Sequence, residues 1–266
     1  MIVACDAIAL KIMPFSETSR VVIWLTDEYG KIPSLIKGSQ RLKSFFIGQY
    51  DLFYRCELLY YQKTHHSLHI VKELYPEKQR GFLRKNWRAT ACVSYLASLT
   101  NRVLPYYAPH PQLFRLLDET IDCFASSTPV KYEAMLCWFE LKLLKELGFK
   151  PQLDLCARCG KTLDVSGFLK GNFSGRGIHF SYKDGGALCL SCMAPSDNER
   201  VLLAPDVFAL LSNWNNARTM NSVFRVVSLP EQLEVISSLI DKFIVFHLEQ
   251  TGYNRAVAMD ILKWRN

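Results

Sequence analysis

Two short cysteine hooks constrain this chain more than any other feature. Cys156-Ala157-Arg158-Cys159 and Cys189-Leu190-Ser191-Cys192 each have C-x-x-C spacing, with residues 160–188 between them. Each pair of thiolates grips one edge of a metal ion, and two such pairs complete a tetrahedron of sulfur. Gly160 follows the first hook, where a tight knuckle turn favours a residue without a Cβ. Four protein ligands leave no open position for water or substrate. The spacing therefore predicts a structural Zn2+ held by Cys156, Cys159, Cys189 and Cys192, not a hydrolytic centre. The interval is longer than the roughly 15–20 residues usual for such modules. His179 lies between the hooks, but four cysteines already complete the shell, so it is read as a strand residue. Cys159-Gly160-Lys161-Thr162 imitates the end of a phosphate-binding loop. Leu155 stands where that loop needs its first glycine, which excludes nucleotide binding there.

The chain has nine cysteines, and Cys5, Cys56, Cys92, Cys123 and Cys137 sit in apolar surroundings. An odd number of largely apolar thiols does not make a secreted disulfide framework and fits a reducing cytosol. Asp6 and Lys11 interrupt the first apolar run and Pro14 ends it, so no signal peptide is expected. No apolar stretch is long enough to span a bilayer, and the expectation is a cytoplasmic protein without membrane contact. The net charge of +7 favours an anionic partner.

Residues 1–80 read as strands: Val3 to Ile12, Arg20 to Thr26, Lys31 to Lys37, Tyr50 to Tyr61 and Leu68 to Tyr75. Asp27-Glu28-Tyr29-Gly30 is a turn with glycine last. Five strands in so short a span predict a small closed barrel such as an OB-fold, although the period alone does not separate it from other small barrels. Residues 81–150 read as helical. Helices are expected over 85–100 and 112–125, with Pro105, Pro109 and Pro111 marking the loop between them. A third starts at Thr128-Pro129, as N-cap and first helical position, with Tyr132, Met135, Leu136, Phe139, Leu143 and Leu147 on one face. Gly148 ends it. Residues 151–195 form a zinc module of loops and short hairpins, rich in glycine at 167, 171, 175, 177, 185 and 186. Residues 196–266 close the chain with a short helix after Pro205 and a longer one from Pro230 to about Gly252. The fold class is thus α+β: a five-stranded OB-fold-like barrel, then a helical domain carrying a four-cysteine zinc module.

Two segments are basic without any acid. One holds Lys31, Lys37, Arg41 and Lys43, followed by Phe45, Phe46 and Tyr50. The other holds Lys78, Arg80, Arg84, Lys85 and Arg88. Cations track a phosphate backbone and aromatic faces stack bases, so both are candidate single-strand contacts, against the alternative of a solvated face. Phe45 and Phe46 taken singly read as core. His65, His66 and His69 near a hairpin lack partners at ligand spacing. Neither a G-x-S-x-G elbow nor an H-E-x-x-H helix is present, and no catalytic site is expected.

Pro14-Phe15-Ser16-Glu17-Thr18-Ser19-Arg20, Thr26-Asp27-Glu28-Tyr29-Gly30-Lys31, Lys37-Gly38 and Arg41-Leu42-Lys43-Ser44 together resemble the N-terminal barrel of the bacterial RecO family. Phe139-Glu140-Leu141 and Leu147-Gly148-Phe149-Lys150-Pro151, leading into Cys156 and Cys159-Gly160, resemble that family's helix-to-zinc junction. The resemblance covers most of the chain and fades after about residue 200. It implies a recombinational repair mediator that binds single- and double-stranded DNA, anneals complementary strands and helps load RecA, working with RecR, often RecF, and single-stranded-DNA-binding protein. It assigns DNA contact to Arg20, Lys31, Lys37, Arg41 and Lys43, and it places the protein with the nucleoid. Some family members lack the cysteines, which implies a stabilising metal. Leu42 stands where proline is common in the family. The competing readings are a sequence-specific zinc-containing regulator, a protein-binding scaffold and a metal-dependent nuclease. No finger helix supports the first and no acidic metal cluster the last.

Overall fold

Val3, Cys5, Ala7 and Ala9 recur at every second position of β1 (Ile2–Pro14) and share one core, the period of a strand, and Ile8 and Leu10 on the other face are buried as well. β1 is long enough to pair twice. Residues 2–8 run antiparallel to β4 (Arg55–Tyr61), and residues 7–14 run antiparallel to β2 (Arg20–Thr26). A register shift between Ala9 and Lys11 interrupts the ladder with β2, as a bulge does. β3 (Lys31–Ile36) pairs with β2, and β5 (His69–Lys78) pairs with β4. A short parallel contact, Ser34 with His69 and Leu35 with Ile70, closes the ring. The product is a closed barrel in the order β1-β2-β3-β5-β4, filled by Val22, Trp24, Ile32, Leu58, Tyr60 and Leu74 among others. The computed structural model describes residues 1–63, 67–163, 177–192, 200–249 and 253–264. His65, His66, Gly167, Gly171, Gly175 and Gly252 lie outside those residues.

The barrel, the helices and the cysteine cluster expected from the sequence are all present. The run from Tyr50 to Tyr61 is the main local difference, because only Arg55–Tyr61 is strand. The Phe53 N–H donates to the Ala9 carbonyl and the Ala9 N–H to the Tyr54 carbonyl, so the chain turns against the irregular stretch of β1. Phe53 takes φ 67 there.

The chain divides into two compact units, Met1–Ser127 and Thr128–Arg265. In the first, α1 (Trp87–Val103) packs against β1 and α2 (Pro111–Ser126) against β2. Asn86 caps α1 by accepting from the Ala89 N–H, and Pro111 opens α2. The loop between these helices is clamped to the barrel. The Tyr107 N–H donates to the Lys31 carbonyl at 3.0 Å. Gly30, at φ +68, lies so close that an added Cβ would sit 2.0 Å from the Ala108 carbonyl oxygen. Gly30→Ala combines backbone strain with a collision against backbone. It is expected to lower stability by about 2–4 kcal/mol, read as a lower urea midpoint; an unchanged midpoint would mean the loop moves away freely.

The second unit is built around α3 (Tyr132–Glu146). It begins with a 3-10 turn, Pro129–Lys131, and Thr128 makes no side-chain cap bond, so the helix proper starts later than the Thr128-Pro129 signal predicts. The burial of Met135–Leu141 exceeds one face, since α4 (Pro205–Asn216), α5 (Met220–Phe224), α6 (Pro230–Leu248) and α7 (Tyr253–Lys263) all pack on α3. Gly148, at φ +85, ends it, with the Phe149 N–H returning to the Leu144 carbonyl. Glu140, fully buried, accepts from Arg255 of α7 at 2.7 and 3.0 Å. β6 (Ile178–Ser181) is the middle strand of a small sheet, between β7 (Gly186–Leu188) and β8 (Arg200–Leu203). Phe180 meets Phe243 of α6 edge-on at 5.7 Å, which seats the sheet on that helix. Among the described residues no helix is long and apolar enough to cross a membrane.

Candidate metal centre and nucleic-acid face

The first hook leaves the end of α3 through Gln152, whose backbone pairs with Gly185 and Ala187 beside β7. Cys156 accepts from the Gly160 N–H through its carbonyl, the knuckle expected of Gly160, which sits at φ +72. The second hook follows β7 directly, and the Cys192 N–H donates to the Cys189 carbonyl. Arg158 ties the hooks together. Its Nε and Nη2 donate to the Asp184 carboxylate at 3.1 and 2.8 Å, and its Nη1 to the Cys192 carbonyl at 2.7 Å.

The four sulfur atoms of Cys156, Cys159, Cys189 and Cys192 lie within 4.8 Å of one another, with Cys159 and Cys189 3.7 Å apart. A tetrahedron with metal–sulfur bonds of ~2.3 Å has edges of about 3.8 Å. The donor set therefore fits a metal ion and is far from a disulfide contact of about 2.05 Å. Burial opposes charge on Cys156, but backbone N–H groups of Cys189, Cys159 and Arg158 outweigh it and bring its pKa down to about 6. A thiolate is thereby available as a ligand. His179 stands on β6 opposite Leu188 and Leu202, outside the cluster.

Four of the five cations assigned to DNA are associated with two linked loops. Arg20 Nη1 donates to the Ser16 and Ser19 carbonyls at 3.1 and 3.0 Å, bracing the β1–β2 turn. That turn is joined to the segment after β3: Ser19 Oγ accepts from the Gly38 N–H at 3.1 Å, and the Gln40 N–H donates to the Thr18 carbonyl at 2.9 Å. Gly38, at φ +64, lets the Arg41 side chain lie against the turn. Lys37, Arg41 and Lys43 are exposed, and so are Leu42 at 98 % and Phe45 at 96 %. Phe46 and Tyr50 pack on the barrel core. Phe45 thus departs from its core assignment, because the turn points neighbouring side chains in opposite directions.

Lys31 stands apart from this face. It is 4 % exposed, its Nζ donates to the Asn101 carbonyl and lies 4.3 Å from the Tyr106 ring centroid, and burial pulls its pKa down. It fastens the loop after α1 and presents no charge to solvent. The second basic segment is also largely structural. Lys78 and Arg80 pair with Asp118 and Asp122 of α2, and Arg84 with Asp51. The acids were out of view because they lie some forty residues away in sequence.

Residues 1–79 match the family model described as the recombination protein O N terminal, and residues 84–255 match the recombination protein O C terminal. The chain belongs to the RecO family. A DNA repair protein RecO from Alkaliphilus metalliredigens is 25 % identical over 96 % of this chain and 97 % of its own length. One from Anaeromyxobacter sp. (strain K) is 30 % identical over 79 % of this chain and 77 % of its own. One from Geobacter metallireducens is 28 % identical over 91 % of each. The RecO N-terminal match holds the barrel with its exposed cationic loop, and the C-terminal match holds both cysteine hooks.

Proposed function

We propose that this RecO-family chain is a non-enzymatic mediator of recombinational repair. It binds single- and double-stranded DNA through the linked loops at Arg20, Lys37, Arg41 and Lys43, anneals complementary strands, and helps load RecA together with RecR, RecF and single-stranded-DNA-binding protein. The site of action is the cytoplasm, at the nucleoid. The observation that carries the reading is the loop after β3. Exposed cations and an exposed phenylalanine share one loop on a small OB-fold-like barrel, in a family whose relatives are DNA repair proteins. Cations neutralise phosphates and release counterions, while an aromatic face stacks bases of any sequence. Two complementary strands repel through their phosphates, and a basic surface holding both lowers that repulsion and raises their effective concentration. Cys156, Cys159, Cys189 and Cys192 would hold Zn2+, which supplies cross-linking of the two hooks and no reaction chemistry.

The test is annealing of two labelled complementary oligonucleotides, followed by energy transfer over a salt series without ATP. Faster pairing that fades as salt rises supports the reading. No acceleration at low salt, with folded protein, replaces it with a protein-binding scaffold. Lys37→Ala combined with Arg41→Ala is expected to weaken DNA binding and to reduce the slope of log affinity against log salt by about 1.5, since each phosphate no longer neutralised removes about 0.7–0.9. A folded double variant with the wild-type slope would move the DNA-binding face elsewhere.

A further inference from the structure

The tip of the loop after β3 presents apolar side chains to solvent from a hydrogen-bonded frame. Successive turns build it. The Arg41 N–H donates to the Gly38 carbonyl at 3.1 Å and the Ser44 N–H to the Arg41 carbonyl at 2.9 Å. The Ile47 N–H then donates to the Ser44 carbonyl at 3.3 Å and the Gln49 N–H to the Phe46 carbonyl at 3.1 Å. Gln40 Nε2 donates to the Tyr50 hydroxyl at 3.3 Å, which ties the two ends of the tip together. Phe46 and Tyr50 root it in the barrel core. Leu42 and Phe45 are each the second residue of one of these turns, and both are almost fully exposed. Ile47 is exposed as well, and so is Phe15 on the β1–β2 turn to which the tip is bonded.

Scattered apolar residues on a surface need no explanation. Here three large ones stand between residues 42 and 47, held in place without burial. Their free energy in water is lowered by contact with another molecule. The charge around the tip selects that molecule. Lys37, Arg41 and Lys43 are exposed beside it, and no acidic residue stands between residues 29 and 50. Asp51, the next acid along the chain, is bonded to Arg84. The matching occupant carries anionic groups outside and an apolar interior, as a nucleic acid carries phosphates around its stacked bases. A phosphate backbone alone would engage the cations and leave the apolar tip in water. Leu42 has no aromatic face on which a base could stack. A branched aliphatic side chain instead fits between two bases and partly unstacks them. An anionic lipid surface offers the same two chemistries, but the tip belongs to a barrel whose relatives are DNA repair proteins.

We infer that Leu42 is a wedge that enters between neighbouring bases of the bound strand and opens their stack. Arg41 and Lys43 hold the flanking phosphates, and Phe45 covers an uncovered base face. The inference rests on the DNA reading and adds a step to it: the strand is held with its bases apart, open to a complementary one.

The test titrates the full chain into a single strand carrying 2-aminopurine between two guanines, which quench its emission while stacked on it. Affinity and salt slope come from the anisotropy of an end-labelled strand of the same sequence. Saturation with wild type is expected to raise the emission about threefold, as insertion into a base step does. Leu42→Ser should lose most of that rise and weaken binding about three- to tenfold, with an unchanged salt slope because no phosphate contact is removed. Leu42 is so exposed that the substitution leaves no cavity. Leu42→Met should keep the rise. Leu42→Lys should steepen the slope by about 0.7 and still lose the rise, which separates insertion from charge. Salt-dependent binding by wild type with unchanged emission overturns the wedge and leaves the DNA reading standing. The full rise in Leu42→Ser or Leu42→Lys, or its loss in Leu42→Met, overturns it too. Absence of DNA binding at low salt overturns both readings. Binding of phosphatidylglycerol vesicles in that case, lost in Leu42→Ser, would assign the tip to a membrane.

Discussion

Cys159→Ser is expected to release the metal and unfold the segment around the two hooks while the barrel stays folded. Apart from the Arg158 bridge between the hooks and the seat of Phe180 on α6, the segment has only short elements to hold it. β6, β7 and β8 are three or four residues long, and the hooks themselves are loops. Structural zinc supplies on the order of 10–16 kcal/mol of apparent binding energy in small zinc-dependent folds near neutral pH, and that energy is folding energy. Cys159 is the suitable ligand to remove because it is exposed, so a serine leaves no cavity. Cys156 is buried, and its replacement would mix ligand loss with packing loss. Metal content by mass spectrometry should fall from one zinc per chain toward none. Hydrogen exchange should show amides of residues 152–163 and 177–192 losing protection, and those of β1 to β5 keeping it. A wild-type protein purified under reducing conditions without metal would sink the zinc reading. So would a Cys159→Ser variant with full protection around the hooks.

What was legible in the sequence was what repeats over short distances. The run from Val3 to Ile12 marks β1, and Pro205 and Pro230 each stand at the start of a helix, whereas Pro111, which reads as loop, opens α2. The hooks announce their cluster because ligand spacing within each hook is local. What was not legible depends on partners far along the chain. Lys31 reads as a surface cation until the Asn101 carbonyl, seventy residues away, is beside it. Lys78 and Arg80 read as a phosphate-binding run until α2 brings Asp118 and Asp122 to them. α3 shows one apolar face by period, yet helices from residues 205 to 263 cover the others as well. Phe45 and Phe46 are adjacent and chemically identical, and only the turn decides that one is exposed and the other packs on the core.

Asp118→Ala is expected to cost the first unit about 3 kcal/mol, because it strands a buried charge. Asp118 accepts from Arg55 Nη1 at 2.9 Å, from Lys78 Nζ at 2.6 Å and from Arg80. These three cations do not count equally. The Arg80 side chain is 2 % exposed, whereas those of Arg55 and Lys78 are 23 % and 36 % exposed and remain partly solvated. Arg80 would keep Asp122, the Phe53 carbonyl and the Asp118 backbone carbonyl, which holds the loss near the lower end of the roughly 3–5 kcal/mol typical of a broken buried pair. Asp118→Asn keeps an acceptor without the charge and should cost less, about 2 kcal/mol. The pH dependence separates charge from packing. Burial alone would raise the Asp118 carboxyl, but hydrogen bonds from Lys78 and Arg55 and the Arg80 charge hold it below its ordinary 3.8. A depressed folded-state pKa gives stability that is complete above the unfolded value and is lost as pH falls through the folded one. The gap between wild type and Asp118→Asn should therefore be constant from pH 7 to about 5 and shrink below about 4. Urea midpoints at pH 7, 5 and 3 read it directly, and the difference removes the contribution of other carboxylates that titrate in both proteins. A gap that persists undiminished at pH 3 would assign the loss to packing and not to the carboxylate charge.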